Sequence, residues 1–194
     1  MRWTLRVALL VLCASFAVSR SPLAAVRRAV AHATPNGQQP TVNGIIIPVT
    51  GVTASQLKPT FNQARVGHVH HALDILAPRG TPVVAAVDGT IRKLFISGAG
   101  GITIYEFDRD AALVYYYAHL DHYADGVHEG MAVRQGDVIG YVGTTGNAPA
   151  STPHLHFAIG RLGAEKKWWD SEAIDPYPIL TAPAATPRPS LAAR

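Results

Sequence analysis

The stretch Thr81-Pro82-Val83-Val84-Ala85-Ala86-Val87-Asp88-Gly89-Thr90-Ile91-Arg92-Lys93-Leu94-Phe95-Ile96 decides the fold class. Two short runs rich in apolar and β-branched residues, Thr81 to Ala86 and Thr90 to Ile96, flank the turn dipeptide Asp88-Gly89. Outward from it the same signal repeats. Gly98-Ala99-Gly100-Gly101 is a second turn and leads into Ile102 to Phe107. The polar turn Asp108 to Asp110 precedes Ala112 to Leu120, and Asp137 to Val142 and Leu155 to Ile159 follow. On the N-terminal side, Gly44-Ile45-Ile46-Ile47-Pro48 reads as one more short strand, ended by proline. Short strands at this spacing predict a mainly β domain, an antiparallel sheet or sandwich. No long stretch carries helical periodicity with caps at both ends, and no internal repeat occurs.

The 194 residues suffice for one core-forming domain with short appendages. Hydrophobic residues make up 48 % and charged residues 15 %, which excludes wholesale disorder. The formal charge of +4 suits work beside anionic polymers. The densest basic points are only the pairs Arg27-Arg28 and Lys166-Lys167, so no nucleic-acid patch is expected. The single cysteine, Cys13, lies in the N-terminal apolar stretch. A disulfide framework and a thiolate metal site are thereby excluded, and any metal must rest on nitrogen and oxygen.

Arg2 and Arg6 precede the apolar run Val7 to Val18, and small residues including Ala17-Val18-Ser19 follow. This is the pattern of a secretory signal. Residues 1–19 are therefore expected to be a signal peptide, or an uncleaved membrane anchor, with the mature protein exported to the periplasm or the exterior. Residues 20–42 read as a linker, 43–180 as the domain, and 181–194 as a flexible Pro/Ala-rich tail.

Histidines then single out a site. In His154-Leu155-His156-Phe157, strand alternation puts both imidazoles on one face and Leu155 and Phe157 on the other. The segment His70-His71-Ala72-Leu73-Asp74 is followed by Pro78 and Gly80, which favours an extended path. Alternation then puts His70 and Asp74 on one face, and His68 shares it, so spacing alone does not choose between His68 and His70. Imidazoles plus a carboxylate suit Zn²⁺, and three ligands with one open position are the arrangement of a catalytic zinc. His119, expected at a strand end after Tyr115-Tyr116-Tyr117, is a candidate acid or base. The tyrosines read as strand packing, with substrate contact as the alternative. The loop Gly143-Thr144-Thr145-Gly146-Asn147 is expected to turn beside the site, and it lacks the lysine of a phosphate loop.

Four segments in order resemble the M23 metallopeptidases, the LytM or lysostaphin-like peptidases. They are His70-His71-Ala72-Leu73-Asp74 continuing to Val83, Tyr117-Ala118-His119-Leu120, Gly136-Asp137-Val138-Ile139-Gly140 continuing to Gly146, and His154-Leu155-His156-Phe157. Together they cover most of His70 to Ile159. The resemblance implies a β-rich groove of the LytM type (duplicated hybrid motif-like) with one Zn²⁺ on its floor. It implies His70, Asp74 and His156 as metal ligands, which resolves the choice against His68, and His119 and His154 as the catalytic histidines that do not bind metal. The implied activity is endopeptidase cleavage of peptidoglycan stems or cross-links, and a monomer is expected. The alternative is a catalytically silent LytM-type regulator or wall-binding protein. Ala72 departs from the glycine that many members carry. Asn43 to Gln63, broken by Pro48, Gly51 and Pro59, is a candidate cover for the groove, and Trp168-Trp169 are expected to pack at the core or rim.

Overall fold

The computed structural model of the chain describes residues 44–65 and 67–182. The export segment and linker read in residues 1–42, and the tail beyond residue 182, lie outside the described residues. Among the described residues eleven strands form: β1 (Ala64–Arg65), β2 (His68–Val69), β3 (Leu73–Leu76), β4 (Pro82–Val84), β5 (Gly89–Ser97), β6 (Gly101–Asp108), β7 (Leu113–Tyr123), β8 (Ala132–Val133), β9 (Val138–Val142), β10 (His154–Leu162) and β11 (Ser171–Ile174). β1 and β2 pair only with each other. The other nine make one sheet in the order β11-β10-β7-β6-β5-β8, with β3 on β10 and β9 joined to both β7 and β4. Every pairing is antiparallel. Among the described residues no helix is long and apolar enough to cross a membrane.

β10 is the hub. Its first half pairs with β3, from His154↔Leu76 to Phe157↔Leu73. Its second half pairs along that edge with β11, and the opposite edge pairs with β7. The alternation expected of these strands sends Leu73, Ile75, Leu155, Phe157, Ile159, Tyr115 and Tyr117 into one core. The other face of the same strands carries His154, His156 and Tyr116.

Two expectations need correction, and one pairing was not specified by the sequence. Gly44 to Pro48 does not form a regular strand. Ile45, Ile46 and Ile47 are buried. The chain, however, touches the sheet only through scattered bonds such as Ile46 N–H to Ala86 O (3.1 Å) and the bridge Val49↔Val83. Gly44 at φ 81° and the missing N–H of Pro48 prevent a continuous ladder. The runs flanking Asp88-Gly89 do not pair with each other: β4 pairs with β9 and β5 with β6 and β8. Asp88 Oδ1 instead accepts the Gln135 N–H at 2.8 Å, tying the turn to the segment before β9. The stretch proposed as a cover, Asn43 to Gln63, sends Ile45, Ile47, Val49 and Leu57 into the core instead. A short helix, α1 (Pro176–Thr181), closes the domain, with Asp175 capping the Tyr177 N–H at 2.9 Å.

Among the described residues one carboxyl is fully buried in the core. Glu106 on β6 is fully buried and accepts the Tyr117 hydroxyl hydrogen, while that hydroxyl accepts the Ala86 N–H at 2.9 Å. Its other oxygen has no donor. Burial pushes the Glu106 carboxyl up to about 8, with Asp88 and Asp108 adding to the rise and the Tyr117 bond opposing it. A carboxyl raised in the folded state binds its proton more tightly there than in the unfolded chain. Stability is therefore full below about 4.5 and declines as pH rises through about 8. Glu106→Gln should remove much of this decline. Urea midpoints at pH 6 and pH 9 are expected to fall by less in the variant; equal falls in both proteins would refute the assignment.

Candidate metal centre

His70, Asp74 and His156 converge. His70 Nε2 lies 3.0 Å from Asp74 Oδ1 and 3.0 Å from His156 Nδ1, and His156 Nδ1 lies 3.3 Å from Asp74 Oδ1. His70, Asp74 and His156 form the group among the described residues able to hold a metal ion. A tetrahedral ion with arms of about 2.0–2.1 Å needs ligand atoms about 3.3 Å apart, close to this triangle. The electrostatics agree. His70 Nδ1 donates to the Thr60 carbonyl at 3.0 Å, so Nε2 presents a lone pair toward the carboxylate. Asp74 Oδ1 is buried and has no hydrogen-bond donor. Lone pairs converging on a buried carboxylate oxygen with no donor are what a cation would satisfy. Burial lowers the His70 imidazole, with His156 adding to that and Asp74 opposing it, which favours the neutral ring a metal requires.

His70 and Asp74 share a side, though not through strand alternation. β3 begins only at Leu73, and His71 adopts φ 52°. That kink turns the His71 ring away onto Phe61, centroids 5.3 Å apart, and carries His70 back over Asp74. Thr60 holds the kink. Its hydroxyl donates to the Ala72 carbonyl at 3.1 Å and accepts the Asp74 N–H at 3.0 Å. Ala72 is fully buried, so the methyl group is packed rather than disruptive. Thr60→Val should cost about 1–3 kcal/mol of stability by orphaning buried groups. It should also weaken metal affinity about tenfold by loosening the ligand segment. Thermal melts and competition with a chelating dye read the two effects separately; an unchanged affinity would show that the clamp does not orient the ligands.

His119 and His154 flank the triangle, their ring centroids 5.0 Å apart, and the His119 and His156 rings are 5.5 Å apart. His119 is not at a strand end. It lies inside β7 at a bulge, where the pairing steps from Ile104↔Tyr117 to Ile102↔Leu120 and its φ is 60°. The extra residue re-aims the imidazole into the cleft. His119 Nδ1 donates to the Thr145 carbonyl and His154 Nδ1 to the Thr152 carbonyl, each at 2.8 Å, so both rings offer Nε2 to the cleft. The loop Gly143 to Asn147 therefore does lie beside the site. Gly146, at φ 76°, lets it pass so close to Ala99 that a Cβ would come within 2.3 Å of the Ala99 oxygen.

The cleft above these residues encloses about 700 Å³, and Arg65, His68 and Tyr116 are among its lining. None of its lining comes from residues 44–63, so that stretch does not cover it. Arg65 bonds Asp74 Oδ2 at 2.8 Å. His68 lines the cleft and lies outside the metal group. Of the remaining histidines, His122 stacks on Tyr141 and His128 bonds Gly126, and neither lines the cleft; His32 lies outside the described residues. The sequence reading missed Thr60, Arg65 and Thr152. Only the nearness of Thr152 to His154 could have flagged any of them.

Comparison with known proteins gives the same picture. A family model described as "Peptidase family M23" matches residues 68–176. An "L-Ala--D-Glu endopeptidase" of Bacillus subtilis (strain 168) is 35 % identical over 120 residues, spanning 59 % of this chain and 35 % of that protein. "Lysostaphin" of Staphylococcus staphylolyticus is 36 % identical over 115 residues, spanning 59 % of this chain and 22 % of that protein. This chain thus spans about a third or less of those relatives' length. The solved catalytic domain of the antimicrobial peptidase lysostaphin from Staphylococcus simulans superposes with a TM-score of 0.51 at 34 % identity, covering 60 % of this chain and 82 % of that domain.

Proposed function

Because the chain belongs to peptidase family M23, we propose that it is a zinc-dependent endopeptidase that cuts the peptide part of bacterial cell-wall peptidoglycan. The observation that carries this is the complete set of polar groups in one cleft: the triangle of His70, Asp74 and His156 and, beside it, two histidines with Nε2 directed inward. A silent regulator would have no need of that set. Relatives named as endopeptidases for L-Ala–D-Glu or glycyl-glycine bonds support the substrate class. The substrate lies outside the cytoplasm, which agrees with the export pattern of residues 1–19.

His70 Nε2, His156 Nδ1 and Asp74 Oδ1 would hold the metal. When bound, zinc would supply Lewis-acid polarisation of the scissile carbonyl and acidify a water. His119 and His154 do the proton work. Burial lowers His119 to about 4, opposed by its bond to Thr145, so at neutral pH its Nε2 is free to accept a proton. One of the pair takes the proton of the attacking water and delivers it to the leaving amine. The other accepts a hydrogen bond from the water's second O–H at its own Nε2 and so orients the water for attack. Mass spectrometry of purified peptidoglycan incubated with the protein tests the reading. Peptide fragments should appear, stop on treatment with a zinc chelator, and return with added zinc. Zinc-loaded, folded protein that releases none would overturn it.

A further inference from the structure

A second cleft of about 200 Å³ opens on the same sheet face. Tyr105, Tyr116, Trp168 and Trp169 wall it, and Gly160 and Ser171 line it too. A Cβ on Gly160 would come within 2.1 Å of Ser171 Oγ, so any side chain there would crowd the space. The aromatic rings form a continuous path from the metal centre. His156 meets Tyr116 edge-on at 5.9 Å, Tyr116 meets Tyr105 at 4.6 Å, and Tyr105 meets Trp168 at 4.7 Å. Trp169 then stands at 78° to Trp168, centroids 5.2 Å apart. Trp168 packs on the small cluster of Phe107, Val114 and Leu162, whereas Trp169 is 64 % exposed.

We propose that this aromatic corner binds a sugar ring of the peptidoglycan glycan strand while the attached peptide lies in the metal cleft; the proposal rests on the peptidoglycan reading above. Three observations favour a saccharide. The lining contains no Lys, Arg, Asp or Glu, and beside its tyrosines His71 is its one titratable side chain, so the site suits a neutral ligand rather than the carboxylates and amines of a stem peptide. Its faces are aromatic rings, and its polar side-chain groups are the hydroxyls of Tyr105, Tyr116 and Ser171, the indole N–H groups of Trp168 and Trp169 and the His71 imidazole. That combination matches a pyranose, whose C–H face stacks on the electron-rich ring face while its hydroxyls and acetamide hydrogen-bond at the edge. Third, the site is continuous with the metal cleft through Tyr116, which lines both. The three ring-to-ring steps correspond to about four or five residues of extended peptide, at about 3.3 Å each. A short stem could therefore join the two clefts.

The test uses zinc-loaded protein and a peptide-free β-1,4-linked tetramer of N-acetylglucosamine as probe. Saturable quenching of tryptophan fluorescence is expected, with Trp169→Ala weakening binding about tenfold and Trp169→Phe restoring most of it. On whole peptidoglycan, Trp169→Ala should raise KM more than it does on sugar-free stem peptides. No binding of the tetramer by the wild type, or equal binding by Trp169→Ala, would overturn the proposal. So would displacement of the tryptophan signal by a sugar-free stem peptide alone, which would make the corner a peptide subsite. Because binding is read without hydrolysis, tetramer binding without peptidoglycan cleavage would count against the endopeptidase reading instead, and cleavage without tetramer binding against this one.

Discussion

Asp74→Ala is expected to abolish zinc binding and to lower hydrolysis of peptidoglycan by about a thousandfold or more, since Lewis-acid stabilisation is worth several kcal/mol of barrier. The variant should nevertheless fold. Burial raises the Asp74 carboxyl, but His156 beside it and the neighbouring His70 and His154 outweigh that and hold the carboxyl below its ordinary value, so removing it costs the metal-free protein some stability. The Arg65 bond at 2.8 Å is lost in return, together with the contacts of Asp74 Oδ1 to His70 Nε2 at 3.0 Å and His156 Nδ1 at 3.3 Å. Melting temperatures without zinc should then be slightly lower in the variant, with a cooperative transition retained. With zinc at a thousandfold excess over its dissociation constant the wild type should gain about 4 kcal/mol and the variant nothing. A variant that still binds zinc tightly, or that collapses without it, would show that Asp74 is a structural residue and not a ligand.

His119→Ala should behave differently. Zinc should stay bound, because His119 is not in the triangle, while kcat falls about 10²–10⁴-fold. His154→Ala should follow the same pattern. Loss of zinc from a folded His154→Ala protein would mean that ligand and helper are exchanged between His154 and His156. The pH response gives a second readout. A histidine held below its ordinary value is neutral in the folded state while the unfolded chain takes up a proton, so its stability contribution is present above about 6.5 and lost as pH falls through about 4. His119→Ala should therefore lose less stability than the wild type between pH 6.5 and pH 4. Full activity in a zinc-loaded His119→Ala protein would remove His119 from the mechanism.

The ladder of strands was legible because apolar alternation and turn dipeptides are local signals. His154 and His156 fall on one face for that reason, as the pattern His-Leu-His-Phe predicts. His70 beside Asp74 was expected on the wrong ground. The kink at His71 is a left-handed conformation in a residue that does not advertise it, and so is the bulge that turns His119. The Thr60 clamp joins residues 12 and 14 positions apart, and no period in the sequence reports such a contact. Partner choice between strands was equally hidden: Asp88-Gly89 looks like a hairpin, while β4 finds its neighbour in β9, more than fifty residues on.

The hub position of β10 has a consequence for how this protein can fail. His154 and His156 alternate with Leu155 and Phe157, and the strand is pinned on both edges by β3 and β7. A slip of one residue would send imidazoles into the core and apolar side chains into the cleft. Partial unfolding that frees β10 would disassemble ligand, helper and core at once. The proposed site and the core that folds with it are thus one object, and local breathing confined to the surface loops leaves the arrangement of β3, β7 and β10 intact.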